Sequence, residues 1–163
     1  MSQKQQIYDL LAELNITYQS VEHVAVFNIE EMRQLDFPPN AKVAKNLFLR
    51  DAKGKRHFLV VADSDQAVNL KALEEKLGST KLSFASDDRL LKYLGLTKGS
   101  VSPFGLVNDA NRDVEFYLDK NLRHCDAIGV HPNDNTATVF LTSDDLLTFV
   151  STTGHEINFM GLD

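Results

Sequence analysis

The sequence has no tryptophan and a single cysteine, Cys125, among its 163 residues. One cysteine cannot form an internal disulfide, which agrees with a reducing compartment. The longest apolar runs, such as residues 58–62 and 139–141, are much shorter than the roughly 20 residues of a membrane helix. We therefore expect no membrane span. Because the N-terminal residues also lack the pattern of a signal peptide, we expect a cytoplasmic protein.

An excess of positive charge is also missing, since the formal net charge is −6. Nucleic-acid-binding proteins usually carry an excess of Lys and Arg that neutralises phosphates, so any contact with RNA has to be local. This stretch is the most basic in the chain: Lys42, Lys45, Arg50, Lys53, Lys55 and Arg56. It is either a local face for nucleic acid or, more simply on charge alone, the solvated rim of a hairpin.

Several common active-site motifs are absent. The chain has no Gly-x-Ser-x-Gly elbow, no phosphate-binding loop, no Gly-x-Gly-x-x-Gly and no His-Glu-x-x-His. Its 5 histidines lack the close spacing of metal ligands, and one cysteine gives no Cys-x-x-Cys pair. We therefore predict neither a metal site nor a cofactor.

The hydrophobic periodicity predicts a mixture of helices and short strands. Helices are expected at residues 2–14, 29–35, 70–77, 87–94 and 144–150, the last three with the N-caps Asn69, Ser86 and Ser143. Strands are expected at residues 17–22, 43–50, 56–62, 81–84, 106–107, 114–118, 126–130, 136–141 and 156–159. Because strands outnumber helices and hairpin signals recur, the pattern favours an α+β fold. We expect a single compact domain over residues 1–163, with a mixed, largely antiparallel sheet and flanking helices.

Lys45 lies in a segment whose alternating residues are apolar. If the strand starts at Val43, Lys45 shares a side with Leu47 and Leu49. Its ammonium could then reach an anionic ligand group, such as a phosphate, at the end of the sheet. If the strand starts only at Asn46, Lys45 points to water. The sequence leaves both interpretations open.

The loop from Gly99 to Pro103 combines glycine freedom with a stiff return. Glycine can hold a positive φ and expose its N–H, whereas proline lacks an N–H and restricts the backbone. Such a loop can direct donors at a developing oxyanion. Loops of this composition are also common as purely structural elements.

His131 lies between Gly129 and Pro132 at the end of a predicted strand. The missing side chain of Gly129 would leave room beside the imidazole for a ligand. The alternative is a turn residue whose ring nitrogens bond to nearby backbone.

Four segments resemble a known family when they are taken in order. They are EHVAVFNIEE at residues 22–31, AKNLFL at 44–49, GSVSPFG at 99–105 and IGVHPN at 128–133. This series resembles the free-standing prolyl-tRNA editing proteins, which are similar to the editing insertion domain of bacterial prolyl-tRNA synthetases. The first two segments are more similar to the alanine-specific branch than to the cysteine-specific one. The sequence departs from the family at Val24, where proline is usual, and at Asn28, where threonine is usual.

The resemblance implies an α+β domain that hydrolyses the ester bond of mischarged aminoacyl-tRNA in trans, most specifically alanyl-tRNA specific for proline. It implies that the catalytic positions are Lys45, Gly99 and His131. It also implies that the substrate-binding positions are Asn46, Ser100, Val101, Ser102, Pro103 and Gly129. The implied partners are the tRNA and, as a second partner, prolyl-tRNA synthetase.

The implied chemistry has a physical motive. A synthetic site shaped for proline cannot strongly exclude the smaller alanine, because a missing methylene is worth only about 1–3 kcal/mol, so fidelity needs a second hydrolytic sieve. An aminoacyl ester is already activated, and a positioned water with oxyanion donors can suffice without a protein nucleophile. Three alternatives remain: a non-catalytic tRNA- or synthetase-binding module of the same fold, a cysteine-specific deacylase, and a small-molecule esterase.

Overall fold

The structure, a computed structural model, describes residues 2–25 and 37–162, and the elements in these ranges are numbered in chain order. The α-helices are α1 Gln3–Glu13, α2 Leu70–Leu77, α3 Asp87–Leu94 and α4 Ser143–Thr152. Short 3₁₀ helices are formed by Pro103–Asn108 and Lys120–Leu122. The strands are β1 Gln19–Glu22, β2 Lys42–Arg50, β3 His57–Asp63, β4 Ser83–Phe84, β5 Val114–Asp119, β6 Ile128–Val130, β7 Ala137–Leu141 and β8 Ile157–Met160. The helix predicted at residues 29–35 lies outside the described residues.

The strands form one sheet in the order β1-β7-β6-β2-β3-β5-β8, with β4 also paired to β2. Among the pairings recorded for the described residues, β1 with β7, β2 with β3, β2 with β4 and β6 with β7 are antiparallel. The pairs β2 with β6, β3 with β5 and β5 with β8 are parallel. The predicted α+β class with a mixed sheet and flanking helices is confirmed.

Each face of the sheet carries its own hydrophobic cluster. Along β2 the side chains alternate, so Ala44 and Phe48 lie on one side, called here the first face, and Leu47 and Leu49 lie on the other, the second face. The first face is covered by α1, α3 and α4, and the second face is covered by α2. This alternation decides on which side of the sheet each candidate residue lies.

The predicted helix caps are confirmed at two positions. The side chain of Asn69 accepts hydrogen bonds from the backbone at the start of α2, and Ser86 does the same for α3. The cap predicted at Ser143 is wrong, because Thr142 caps α4 and the buried Ser143 hydroxyl donates to the carbonyl of Leu122 instead. A tertiary hydrogen bond therefore replaces the local one.

The short strand predicted at residues 106–107 is also wrong. These residues belong to the 3₁₀ helix Pro103–Asn108, whose N-cap Ser102 accepts a hydrogen bond from the backbone N–H of Phe104 at 3.1 Å. Pro103 in the first turn has the backbone φ that a helix start requires. The cap and the proline thus outweigh the β propensity of Leu106 and Val107.

None of the helices in the described ranges has both the length and the apolar character needed to cross a membrane.

Candidate active site

Lys45 lies inside β2, which begins at Lys42. The alternative in which the strand starts only at Asn46 is therefore wrong. The alternation places Lys45 on the second face, on the same side as Leu47 and Leu49. Its side chain is half-buried among apolar neighbours, so the ammonium needs a polar partner.

A turn after β3 supplies that partner. The ammonium of Lys45 donates a hydrogen bond to the backbone carbonyl of Gln66. The side-chain amide of Gln66 in turn donates to the carbonyls of Ala67 at 3.0 Å and Leu162 at 3.4 Å, which fixes the turn. A carbonyl carries no formal charge, so the ammonium keeps its net positive charge for an anionic ligand.

The register between β2 and β6 decides on which face Lys45 and His131 lie. Strands β2 and β6 run parallel, with Val43 opposite Gly129. Lys45 follows Val43 by two residues, and His131 follows Gly129 by two residues. Because side chains two residues apart in a strand share a face, Lys45 and His131 are on the same face as Val43 and Gly129. The two residues therefore lie on the same face of the sheet, although β6 ends at Val130 and the Lys45 ammonium bonds to Gln66, which follows β3 on the other side of β2.

The hydrogen bonds of His131 define its protonation. Its Nδ1 lies 2.8 Å from the carbonyl oxygen of Ala137. A carbonyl can only accept, so Nδ1 carries the proton and Nε2 carries the lone pair in the neutral ring. Burial lowers the pKa of His131 below its usual value, although the bond to Ala137 acts in the opposite direction. The ring is therefore neutral near pH 7 and offers an acceptor at Nε2.

The interpretation of His131 as a turn residue expects its ring nitrogens to bond to nearby backbone. Nδ1 makes such a bond. Among the residues that the structure describes, Nε2 of His131 has no hydrogen-bond partner. Nε2 is therefore the ring nitrogen that remains available to a ligand.

Aromatic and polar side chains that the sequence did not predict surround His131. The ring of His23 lies 6.2 Å from that of His131 and 6.1 Å from that of Phe37, and Phe37 packs edge-to-face on Phe140 at 5.0 Å. Nε2 of His23 lies 2.8 Å from the hydroxyl of Thr138. The sequence could have indicated Thr138 and Phe140, because residues two apart in a strand point to the same face. Phe140 lies opposite Gly129, so both side chains lie on the face of Gly129.

The ring of Phe140 explains why residue 129 is a glycine. A Cβ at Gly129 would lie only 2.6 Å from Cε1 of Phe140. The room that Gly129 leaves is therefore filled by this ring and is not open beside the imidazole of His131. Aromatic rings thus line this part of the site.

A gap in strand pairing lies next to these residues. Strand β6 pairs with the first two residues of β2, and β4 pairs with the last two. Two hydrogen bonds show which backbone groups of β2 face this edge. The N–H of Lys42 donates to the carbonyl of Ala127 at 2.9 Å, and the carbonyl of Phe48 accepts from the N–H of Ala85 at 3.0 Å. The backbone N–H and C=O groups of the even-numbered residues of β2 therefore point toward this edge. The N–H and C=O of Asn46 thus face the space between β6 and β4, where no described residue bonds to them. We call this space the Asn46 notch.

The side chain of Asn46 has an unsatisfied atom as well. Within the described residues, its Oδ1 is buried without a hydrogen-bond partner, as is Oδ1 of Asn133 in the turn after His131. Buried polar atoms are nearly always hydrogen-bonded in folded proteins. Asn46 therefore adds an unpaired side-chain acceptor to its unpaired backbone groups.

The Gly99 loop has the geometry that its composition predicts. Gly99 adopts φ +91°, a conformation that side chains disfavour. The N–H of Ser100 donates to the carbonyl of Thr97 at 3.0 Å, so this donor is already used. The N–H of Gly99 bonds to no acceptor in the described parts of the chain. Of these two donors, Gly99 is thus the one that remains for a ligand.

The remainder of the loop is anchored in the core. Ser102 and Pro103 are buried, whereas Gly99 and Val101 are half-exposed. Val101 packs against the cluster on the first face of the sheet. The buried pair holds the loop in place, and the half-exposed pair remains open to a ligand.

The predicted site residues fall into two groups. Lys45, Gly129 and His131 lie on the second face, whereas the Gly99 loop packs on the side of the first face. Asn46 alternates with Lys45, so its side chain points toward the first face. No hydrogen bond between described residues links the Gly99 loop to Lys45 or His131. The structure therefore does not bring the Gly99 loop together with Lys45 and His131, because the loop packs against the opposite face of the sheet.

The basic stretch does not form one continuous face. Lys45 and Arg50 are five residues apart along β2, which is about 16 Å. Arg56 pairs with Glu115 at 2.9 Å, and Lys42 pairs with Asp63 at 3.4 Å. Two of the predicted cations are therefore neutralised within the protein.

A buried pair of His155 and Asp109 lies away from the notch. Nε2 of His155 is 2.7 Å from a carboxylate oxygen of Asp109, and Nδ1 of His155 is 2.7 Å from the hydroxyl of Thr153. Burial alone would raise the pKa of Asp109, but His155 and the backbone N–H of Val114 hold it below its usual value. This pair joins the loop before β5 to the end of α4. Within residues 2–25 and 37–162 no group of three or more His, Cys, Asp or Glu is placed to hold a metal ion.

The fold and the site together define a small α+β domain with a notch that combines a cation, a neutral imidazole and free backbone groups. The sequence profile of the aminoacyl-tRNA editing domain matches residues 23–149. The prolyl-tRNA editing protein ProX of Acetoanaerobium sticklandii is 54% identical over 95% of this chain and 94% of its own length. The prolyl-tRNA synthetase associated domain-containing protein 1 of Danio rerio is 36% identical over 98% of this chain and 88% of its own length.

A solved structure supports the same fold. The crystal structure of a candidate trans-editing enzyme for prolyl-tRNA synthetase has a TM-score of 0.72 and 20% identity, and the match covers 99% of this chain and 98% of that one. At this identity the likeness concerns the fold alone. The sequence matches, however, are close and nearly complete. The chain belongs to the aminoacyl-tRNA editing domain family.

Family membership confirms three predictions made from the sequence. These are the resemblance itself, the enzyme class of aminoacyl-tRNA deacylase, and charged tRNA as the partner. The roles of the individual site residues stay predictions.

Proposed function

We propose that this enzyme removes alanine from mischarged tRNA specific for proline, and that it acts in trans as one domain over residues 1–163. The names of its relatives, which refer to prolyl-tRNA editing and to prolyl-tRNA synthetase, support the tRNA assignment. Because charged tRNA is used by the ribosome, we place the activity in the cytoplasm. We also propose prolyl-tRNA synthetase as a second partner, since it produces the mischarged substrate.

The observation that carries this proposal is the arrangement around the Asn46 notch. On the second face, Lys45 keeps a net charge at the neutral carbonyl of Gln66, and His131 offers a lone pair. The Asn46 side chain points toward the first face, where Val101 of the Gly99 loop packs against the hydrophobic cluster. The proposal places the ester in the notch, with the phosphate and ribose toward Lys45 and His131 and the ester oxygen toward the Gly99 loop.

We assign the phosphate to Lys45. The terminal phosphate of the tRNA is the anion nearest to the ester, and an ammonium acts on it as a positioned point charge. Occupation of this site would exchange a neutral acceptor, the carbonyl of Gln66, for an anionic one. Charge-assisted hydrogen bonds are stronger than neutral ones, so this exchange favours binding.

We assign the developing oxyanion to the N–H of Gly99. Water attacks the ester carbonyl carbon and forms a tetrahedral intermediate whose former carbonyl oxygen is anionic. The bond from this carbon to the ribose oxygen then breaks, a proton of the attacking water passes to the ribose oxygen, and the amino acid leaves with a carboxyl group. The adjacent ribose hydroxyl of the tRNA can orient the water, so no protein nucleophile is required. The N–H of Gly99 donates to no acceptor among the described residues, so it is free to donate a hydrogen bond to the oxyanion.

Preference for a small amino acid is supported by the packing next to His131. The rings of Phe37 and Phe140 contact each other, and Phe140 fills the space above Gly129. A site lined in this way admits a methyl group more readily than a pyrrolidine ring. This is the second sieve that discrimination against alanine requires.

The cysteine-specific alternative is tested by a panel of amino acids esterified to the same tRNA. We expect alanyl-tRNA to be hydrolysed faster than cysteinyl- or seryl-tRNA at equal concentration, because cysteine and serine carry an additional heavy atom on Cβ next to the packed rings of Phe37 and Phe140. Faster hydrolysis of the cysteinyl ester would contradict the proposal and favour the cysteine-specific reading. Alanine methyl ester, included in the same panel, should be a poor substrate because it lacks the phosphate that Lys45 binds.

The pH dependence tests the role of His131. We expect the rate to be constant from about pH 7.5 to 6.5 and to fall at lower pH, because protonation of Nε2 removes the acceptor and burial holds the pKa of His131 below its usual value of 6.5. The free energy of unfolding should also fall below pH 6.5, since the unfolded state takes up a proton that the folded ring resists. The measurement is kcat/KM across this range for wild type and His131→Ala.

The variants distinguish positioning from proton transfer. If His131 only accepts a hydrogen bond from the terminal ribose or amino group, His131→Ala should slow turnover by about 2- to 10-fold, the size of one neutral hydrogen bond. His131→Asn, which keeps an acceptor, should be faster than His131→Ala and should lack the acid inflection. Loss of 10²-fold or more in both variants would show that His131 is a general base.

A further inference from the structure

Phe84 in β4 is an aromatic side chain with 62% of its surface exposed. Aromatic residues are large and usually bury most of their surface. Single exposed apolar residues are common on proteins, so exposure alone assigns no role. The position of Phe84 relative to the Asn46 notch is what distinguishes it.

Phe84 lies on the same face of the sheet as Lys45. It is the antiparallel partner of Leu49, and directly opposed residues in a pair of strands share a face. Leu49 and Lys45 are four residues apart in β2, so their side chains point to the same face. Strands β6 and β4 pair with the same edge of β2 on the two sides of the notch, so Phe84 stands across the notch from His131.

The distance between Phe84 and the phosphate position suits a short piece of RNA. Leu49, opposite Phe84, is four residues from Lys45 along β2, which corresponds to about 13 Å. At about 3.4 Å for each stacked nucleotide, this distance spans no more than about four nucleotides. The 3′ end of tRNA is single-stranded over that length, and its bases are unpaired.

We infer that Phe84 is a stacking platform for an unpaired base of the single strand that precedes the esterified adenosine. The inference rests on the proposed function, because it assumes that the ester lies in the Asn46 notch. The strand would then leave the notch along the edge of β2 toward β4. Stacking on an aromatic ring accepts any base, because each base has a π face.

The test compares Phe84→Ala with a matched control. We expect Phe84→Ala to raise KM for alanyl-tRNA by about 5- to 150-fold with little change in kcat, the range found when one stacking aromatic is removed. Leu91→Ala removes another exposed apolar side chain, 59% exposed on α3, and should leave KM unchanged. Phe84→Trp should restore a KM near that of wild type, because a larger ring also stacks.

Two further readouts separate stacking from a structural role. Hydrolysis of alanyl-adenosine, which lacks the upstream nucleotides, should be equal in wild type and Phe84→Ala. The salt dependence of KM for alanyl-tRNA should keep its slope, because no charge is removed. An equal loss on both substrates, or an unchanged KM for alanyl-tRNA, would overturn the inference.

A binding experiment keeps this inference separate from the proposed function. An RNA stem-loop with a single-stranded 3′ end that carries 2-aminopurine before the terminal adenosine reports stacking by fluorescence quenching. Quenching by wild type but not by Phe84→Ala would support the platform even if the esterified amino acid were not alanine. Equal quenching by both proteins would overturn it. Failure of wild type to hydrolyse alanyl-tRNA would count against the proposed function alone.

Discussion

Gly99→Val is expected to lower kcat/KM on alanyl-tRNA by about 10²–10³-fold, as the loss of one oxyanion donor does in other enzymes. Gly99 holds φ +91°, and its N–H bonds to no acceptor in the described ranges. A branched side chain would strain this conformation, turn the N–H and narrow the space beside it. The measurement is single-turnover hydrolysis at saturating enzyme, which separates the chemical step from binding.

A matched glycine controls for strain. Gly78 at the end of α2 also has a positive φ, +60°, and a Cβ there would meet no atom within 4 Å. Gly78→Val therefore carries a similar backbone cost without a neighbour in the site. It should lower thermal stability while leaving the rate near that of wild type. If both valine variants lose activity equally, the effect of Gly99→Val is strain, and the oxyanion role is contradicted.

Lys45→Ala is expected to lower kcat/KM by about 10- to 150-fold, which corresponds to one hydrogen bond to a charged group. The loss should appear mainly in KM, because the ammonium binds the terminal phosphate before and during the reaction. The slope of log KM against log salt concentration should fall by about one, the amount expected for the loss of one phosphate contact. The ammonium bonds only to the carbonyl of Gln66 in the described structure, so its removal leaves no buried carboxylate unpaired.

Lys42→Ala is the control for charge. Lys42 lies on the same strand but on the first face, exposed and paired with Asp63 at 3.4 Å. Its removal changes the net charge by the same amount and should leave KM and the salt slope nearly unchanged. Wild-type turnover by folded Lys45→Ala would refute the phosphate assignment. Equal losses in both lysine variants would show that only overall charge matters.

The sequence predicted those features that depend on local patterns. Asn69 and Ser86 are N-caps as expected, since the cap and its helix are adjacent in the chain. The side of the strand on which Lys45 lies also follows from the period of two once β2 is known to start at Lys42. Local signals failed at Ser143, because its hydroxyl bonds to Leu122, 21 residues away.

The shape of the site could not be predicted from local patterns. The Asn46 notch exists because β6 and β4, which are more than 40 residues apart in the chain (128 − 84), pair with different parts of one edge of β2. The carbonyl of Gln66 comes from a turn with no distinctive composition. Likewise, Gly129 was expected to leave room for a ligand, but Phe140 of the neighbouring strand fills it. Each of these features depends on strand register.

The central claim is that this deacylase discriminates by the size of the amino acid on one tRNA. The most direct measurement compares alanyl-tRNA with prolyl-tRNA, prepared on the same tRNA specific for proline, in single-turnover reactions with purified enzyme. We expect the alanyl ester to be hydrolysed at least about 10-fold faster, because Phe140 fills the space beside Gly129 and a methylene alone is worth about 1–3 kcal/mol. Equal rates for the two esters, or faster hydrolysis of the prolyl ester, would contradict the account.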